Sequence, residues 1–370
     1  MPPLSLLIKP ASGSCNMRCQ YCFYTDEAEN RSVPLMGRMS LETMGVLVDK
    51  ALTYSGGACS FTFQGGEPTL AGLPFFQALT DRVARHPNAG QVQYALQTNG
   101  YDLSEDWARW FAEHRVLVGV SLDGPKEIHD RYRLDNQGRG TFSRVMAALR
   151  LLEKHSVDYN ILTVVSAANA RCARQIYSFF QKQGFRYQQY IECLDPIGEP
   201  WGSREFSLTP ERYETFLKNL FDAWYQDMQR GRYVYNRYFE NLLMLLDGQQ
   251  PESCNLRGVC AHQWVIEADG SVYPCDFYAL DQWRLGSILE DSFETMEERR
   301  NASGFVQLSC TLPEECRACR WLPLCRNGCR RNREPLETNG KNYFCSAYRG
   351  FLEYAAPRLT ELLRSLRLGR

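Results

Sequence analysis

Apolar positions along the first 240 residues follow two alternating rhythms. Short runs rich in Val, Ile, Leu and aromatic residues lie at 4–8, 59–63, 91–97, 117–122, 159–165 and 187–191, and each predicts a β-strand. Between them, helical patterns cover 40–54, 73–86, 104–114, 141–155 and 171–183. Ser40 with Thr43, and Ser104 with Trp107, stand where N-caps belong, although neither pair is a full capping box. Six strand–helix units in series imply a parallel sheet with helices outside it. Six are too few to close an eight-stranded barrel, so an open partial barrel is expected, with ligands at the carboxyl ends of its strands. Two more helices, 210–231 and 235–247, lead into a different texture. From Cys254 onward short turns and cysteines replace the βα rhythm, with a hairpin expected over 263–267 and 271–274 around Asp269-Gly270. A helix over 347–367 closes the chain. The expected domains are therefore 1–240 and 241–370.

Composition narrows the partners. The 370 residues are 44% hydrophobic and 23% charged, as in soluble globular proteins, and suffice for one large core or two domains. A net charge of −1 gives no general surface for nucleic acid or anionic membrane. The basic run from Arg326 to Arg333 is interleaved with cysteines and reads as a solvated face or an anion contact. No apolar stretch is long enough to span a bilayer, and the amino-terminal residues read as a strand and not as a signal peptide. A cytoplasmic location is expected. Fifteen cysteines then fit metal ligation better than a disulfide scaffold, the more so because they cluster towards the two ends of the chain.

The first cluster, Cys15-Asn-Met-Arg-Cys19-Gln-Tyr-Cys22, follows the first strand directly. Three thiolates can hold three irons of a 4Fe–4S cube and leave the fourth open to a small molecule, whereas electron-transfer clusters are closed by four cysteines. A zinc site is the alternative, but zinc takes four ligands and the next cysteine is Cys59. The second strand runs into Gln64-Gly65-Gly66-Glu67-Pro68, where two glycines let a ligand approach the backbone; taken alone, Gly-Gly is only a turn. The third and fourth strands end in Gln97-Thr98-Asn99-Gly100 and Ser121-Leu122-Asp123-Gly124-Pro125. Eight further cysteines gather late in the chain. Cys316, Cys319, Cys325 and Cys329 are spaced C-x2-C-x5-C-x3-C and could form one zinc or iron–sulfur site, leaving Cys254, Cys260, Cys275 and Cys345 for another. Cys59, Cys172, Cys193 and Cys310 have no partner motif and read as packing residues.

The C-x3-C-x2-C spacing followed by Phe23-Tyr24, the GGEP stretch, the SLDGPKEIHD segment and the PCDFYALDQWRLG segment together resemble the anaerobic sulfatase-maturing enzymes over essentially the full chain. These are radical S-adenosylmethionine (SAM) enzymes with a SPASM extension. The resemblance implies a partial (β/α)6 radical SAM barrel followed by a cysteine-rich SPASM domain with two auxiliary cluster sites and a C-terminal helix. It implies that Cys15, Cys19 and Cys22 hold the SAM-binding cluster. In that family the later ligands cross over: Cys254, Cys260, Cys275 and Cys329 would hold one auxiliary 4Fe–4S cluster, and Cys316, Cys319, Cys325 and Cys345 the other. Gly66, Ser121 and Leu194 match SAM contacts, Arg133 matches a partner for the SAM carboxylate, and Tyr21 is expected to pack on the adenine.

Asp276, directly after Cys275, would by default be a cap or a solvated charge; in this segment it resembles the family's catalytic base. The implied reaction has a 5′-deoxyadenosyl radical take hydrogen from Cβ of a Cys or Ser in an extended sulfatase segment. Asp276 removes the thiol or hydroxyl proton, an auxiliary cluster takes the electron, and Cα-formylglycine results. Tyr24 is expected to assist near the cofactor or in proton transfer. The implied partners are an unfolded or extended sulfatase peptide and an electron donor such as flavodoxin or ferredoxin, acting on a monomer. Two rival readings share many of these ligands: a SPASM enzyme that crosslinks a small ribosomal peptide, and a zinc-bound interaction protein without catalysis.

Overall fold

The computed structural model describes residues 3–334 and 340–368. In chain order its elements begin β1 (Leu4–Ile8), α1 (Phe23–Glu29), α2 (Leu41–Ser55), β2 (Cys59–Phe63), α3 (Leu73–Arg85), β3 (Val92–Thr98), α4 (Glu105–Glu113) and β4 (Leu117–Ser121). They continue with α5 (Lys126–His129), α6 (Phe142–Lys154), β5 (Tyr159–Val165), α7 (Ala173–Gln183), β6 (Tyr187–Glu192), α8 (Pro210–Gln229), β7 (Tyr235–Asn236) and α9 (Arg237–Leu246). The last are β8 (Trp264–Ile266), β9 (Ser271–Tyr273), β10 (Gly286–Ser287), α10 (Phe293–Ala302), α11 (Phe305–Ser309), α12 (Glu314–Arg317), α13 (Leu322–Cys325) and α14 (Cys345–Leu368).

These residues form two compact units. The first holds the chain up to Ser121 together with Tyr132–Tyr159 and His262–Phe305; the second holds Leu122–Arg131, Asn160–Ala261 and the chain from Val306 onward. Strands of the first unit lie in the order β10-β9-β8-β1-β2-β3-β4. β8, β1, β2, β3 and β4 run parallel, β9 runs antiparallel to β8, and β10 antiparallel to β9. β1 is apolar at nearly every position because it is covered on both faces, and Leu6 sits opposite both Phe61 and Trp264. Leu7, Val265, Tyr273 and Ala279 close into a buried cluster beside it. The expected hairpin is β8 and β9. What the sequence did not show is that β8 continues the parallel sheet at the edge of β1.

α2 starts where the sequence placed it: Ser40 Oγ accepts the Thr43 amide at 3.0 Å, and Gly56 ends the helix in the left-handed region at φ 62°. Ser104 stands at the N-cap of α4, but its side chain makes no capping bond. Phe76 of α3 packs edge-on against Trp107 and Trp110 of α4 at 5.2 and 5.6 Å, tying these helices together over the sheet.

In the second unit β5, β6 and β7 run parallel. β7 takes two residues that the sequence reading gave to a helix over 235–247. Asn236 explains the difference, because its side chain accepts the amides of Tyr238 and Phe239 and the helix begins only after it. Phe221 of α8 meets Phe239 of α9 at 5.4 Å and Phe351 of α14 at 5.8 Å, so three helices share one aromatic core. Among the described residues no helix is long and apolar enough to cross a membrane.

Candidate active site

The first unit assembles its site at the carboxyl ends of β1, β2, β3, β4 and β8. Residues 9–22 leave β1 and double back against the segment after β2: the Gly66 and Glu67 amides donate to the carbonyls of Ser12 and Ser14 at 2.9 and 2.8 Å. A Cβ on Gly66 would collide with the Ser14 carbonyl, and Gly65 holds φ 118°, so the glycine pair is needed for this backbone approach. Glu67, almost fully buried, ties the next strand in. Its carboxylate accepts Thr98 Oγ1 at 2.9 Å, the Asn99 amide at 2.8 Å and Thr69 Oγ1 at 2.7 Å. Asn99 in turn donates to Asn16 Oδ1 at 2.8 Å and to Cys15 Sγ at 3.4 Å.

Cys15, Cys19 and Cys22 are all half-buried on this loop. Burial, with the Glu67 charge behind it, pushes the Cys15 thiol up to about 12. A bound iron reverses that preference, because thiolate is the ligating form. Residues 17–20 pair with the chain after β4: Arg18 N donates to Leu134 O at 2.7 Å and Gln20 N to Tyr132 O at 3.2 Å. That pairing brings buried Arg133 to 5.4 Å from the Tyr21 ring, against which Tyr132 packs edge-on at 6.1 Å. Ser121 ends β4 and accepts Gln97 Nε2 at 3.3 Å. Leu194 follows β6 in the second unit, where its carbonyl lies 3.7 Å from Cys193 Sγ.

Asp276 opens a short 3-10 turn, Asp276–Tyr278, and lies in a buried polar cluster within the first unit. Tyr24 OH donates to its Oδ2 at 2.6 Å, and Gln64 Nε2 reaches Tyr24 OH at 2.8 Å and the same Oδ2 at 3.1 Å. Oδ1 accepts no hydrogen bond from the protein and faces Lys9 Nζ at 3.3 Å. Lys9, fully buried, also meets Glu27 at 2.7 Å and Glu267 at 3.6 Å, and Arg31 pairs with Glu267 at 2.6 Å. Burial opposes the charge on Lys9, but Asp276, Glu27 and Glu267 outweigh it and raise its pKa. Burial pushes Glu27 up to about 7 despite Lys9, and it lifts the Tyr24 hydroxyl well above its ordinary value, with the Asp276 charge adding. Glu267 is held down by Lys9 and Arg31 against its burial. The sequence pointed to Asp276 and Tyr24, and to Gln64 and Glu67 only as parts of the glycine-pair stretch, but not to Lys9, Glu27, Arg31 or Glu267. A lysine ending an apolar strand is the single local signal, since its partner carboxylates lie 18 to 267 positions along the chain.

None of the fifteen cysteines, all among the described residues, is paired in a disulfide. In the second unit the charges of Cys316, Cys319 and Cys345 act on Cys325, and those of Cys254 and Cys260 act on Cys329, so both groups lie close together. Burial pushes the Cys325 and Cys329 thiols up to about 12. Among the described residues no three Cys, His, Asp or Glu side chains close on one point as the ligands of a single metal ion would. A cube binds each cysteine at a different iron, so wider spacing suits it, and the all-thiol donor set is the one iron–sulfur clusters use. Cys275 belongs to the first unit, immediately before Asp276.

A cysteine loop at the rim of a parallel sheet, joined to a cysteine-rich C-terminal region, defines the radical SAM enzymes that carry an iron–sulfur extension. The Radical SAM superfamily matches residues 10–179, and the SPASM iron–sulfur cluster-binding domain matches residues 254–320. A cysteine-type anaerobic sulfatase-maturating enzyme of Clostridium novyi is 46% identical over 99% of both chains. A serine-type counterpart from Bacteroides thetaiotaomicron is 29% identical over 98% of this chain and 92% of its own. The solved structure of native anSMEcpe with bound AdoMet and Cp18Cys peptide superposes with a TM-score of 0.93 at 44% identity, covering 99% of this chain and 100% of that one. The chain belongs to the anaerobic sulfatase-maturating enzymes. The fold class expected from the sequence, a radical SAM partial barrel followed by a SPASM domain, is borne out by these matches.

Proposed function

We propose that this chain oxidises a cysteine in an extended sulfatase segment to Cα-formylglycine, using SAM and three 4Fe–4S clusters. The carboxylate of Asp276, fixed by Tyr24, Gln64 and Lys9 with part of its side chain exposed, carries this reading, because it is a base held in place for a substrate proton. The preference for Cys over Ser rests on the higher identity to the cysteine-type relative, 46% against 29%. Cys15, Cys19 and Cys22 would hold the SAM-binding cluster. Cys316, Cys319, Cys325 and Cys345 would hold one auxiliary cluster, and Cys254, Cys260 and Cys329 supply ligands to the other. When bound, these groups supply a one-electron hydrogen acceptor and an electron sink.

The chain's own residues do the rest. Gly66 and Ser121 offer backbone and hydroxyl contacts at the rim, Leu194 a backbone contact, and Arg133 a cation for the SAM carboxylate. Tyr21 is placed beside Arg133, where it can flank the adenine. Asp276 accepts the thiol proton after Cβ has lost its hydrogen, and Tyr24 and Gln64 hold its carboxylate in place. Hydrolysis of the resulting thioaldehyde releases sulfide and leaves the aldehyde. The functional division is 1–240 for the radical SAM part and 241–370 for the cluster domain. The working form is a cytoplasmic monomer reduced by a flavodoxin or ferredoxin.

Anaerobic incubation with Cys-type and Ser-type sulfatase peptides tests this, read by mass spectrometry with carbonyl trapping. Exchange of sulfur for oxygen in the Cys peptide, with a trapped carbonyl, is the expected result. A product that keeps its sulfur and traps no carbonyl would overturn the reading in favour of crosslinking.

A further inference from the structure

We infer that Lys9 is a positioning residue for the proton-transfer half of the reaction: its ammonium faces the buried oxygen of Asp276 and so sets where the carboxylate stands. This rests on the reading of Asp276 as the base.

The geometry separates the two carboxylate oxygens. Oδ2 is occupied, taking Tyr24 OH at 2.6 Å and Gln64 Nε2 at 3.1 Å. Oδ1 takes no hydrogen bond from the protein, although the side chain is only 9% exposed, and what it faces is Lys9 Nζ at 3.3 Å. Oδ1 is itself buried, so the exposed part of the side chain, and with it the approach of a substrate thiol or hydroxyl, lies away from Lys9. Rotation about the carboxylate axis is limited at Oδ2 by two donors and at Oδ1 by one cation.

Lys9 is itself held firmly. It is 0% exposed, its Nζ lies 4.9 Å from the centre of the Tyr24 ring, and Glu27 and Glu267 hold it at 2.7 and 3.6 Å. Glu27 also accepts the Ala279 amide at 2.9 Å, so the carboxylate that holds Lys9 holds the turn that carries Asp276 as well. Arg31 is committed to Glu267 at 2.6 Å, and Tyr273 borders it. Three carboxylates, Glu27, Glu267 and Asp276, thus share two cations, Lys9 and Arg31. Without Lys9 the three would face Arg31 alone and repel one another at low dielectric. Asp276 has the most exposed side chain of the three and would be displaced most easily. A misplacement of about 1 Å at a reacting group costs about a hundredfold in rate. The ammonium of Lys9 is committed to Glu27, Glu267 and Asp276 and to none of the cluster-binding cysteines, so hydrogen abstraction is not expected to need it.

The test uses reconstituted holoenzyme and a peptide whose cysteine carries deuterium at Cβ. Lys9→Met removes the cation. The double variant Lys9→Met/Glu27→Gln removes one charge of each sign, which protects folding. In either, deuterium appearing in 5′-deoxyadenosine and the KM for peptide should stay within about twofold of wild type, while aldehyde per deoxyadenosine falls about ten- to a hundredfold. A larger solvent deuterium isotope effect on aldehyde formation should accompany the fall, and Lys9→Arg should recover part of it. Amide exchange over residues 276–279, measured without substrate, should rise in the same variants. Unchanged aldehyde per deoxyadenosine would overturn the inference. So would a parallel loss of deuterium transfer, or failure of both variants to fold, because each makes Lys9 purely structural. If wild-type enzyme forms no aldehyde from either peptide, the proposed function itself falls.

Discussion

At the residue scale, one carboxylate is separated from its neighbours by what surrounds it. Asp276→Asn keeps the shape of the side chain and its contacts with Tyr24 and Gln64 but cannot take a proton. SAM cleavage should survive in this variant while aldehyde formation falls at least about a hundredfold, as seen by product mass spectrometry. Glu27 makes a different prediction. Its pKa rises on folding from 4.5 to about 7, chiefly through burial, so the folded state binds its proton more tightly than the unfolded chain does. Lys9 stays charged in both states over this range and adds no slope. The contribution of Glu27 to stability must then fall as pH rises from 4.5 to about 7. Thermal melts of wild type and Glu27→Gln across that window should show the wild type losing stability relative to the variant.

At the element scale, strands and long helices were legible because each carries a repeating pattern of its own. β1, β2 and β5 lie where their apolar runs placed them, and α2 begins at Ser40. α1 escaped notice because seven residues give too little periodicity and its N-cap is Cys22, which makes no capping bond. The place of β8 beside β1 was invisible for another reason: three residues cannot announce a partner that lies more than 250 positions away. The site divides the same way. Cysteine spacings and the segment around Asp276 could be read locally, whereas the cluster of Lys9, Glu27, Arg31 and Glu267 exists only after folding. Gly66 belongs to both categories, since its motif was visible but its approach to Ser14 was not. Gly66→Ala should force the loop of Cys15, Cys19 and Cys22 outward. Iron bound after anaerobic reconstitution should then fall by about one third, the share of one cluster in three.

At the scale of the whole molecule, the second unit is unevenly supported. Helices α8, α9 and α14 share an aromatic core, while residues 254–333 of that unit contain only short helices and turns between cysteines. Metal ligation is the cross-link available to such a region. Removing iron with a chelator should speed proteolysis within 306–334 while leaving α8 intact, and reconstitution should restore the protection. The strand β8 carries a last consequence. It covers the outer edge of β1, and the segment after it supplies Glu267 and Asp276 to Lys9. A fragment cut near residue 240 would bare an apolar edge strand and strand a buried ammonium with one of its three counter-charges. Such a truncated barrel should emerge from size-exclusion chromatography as aggregate, because the tail of this chain finishes the sheet that its head began.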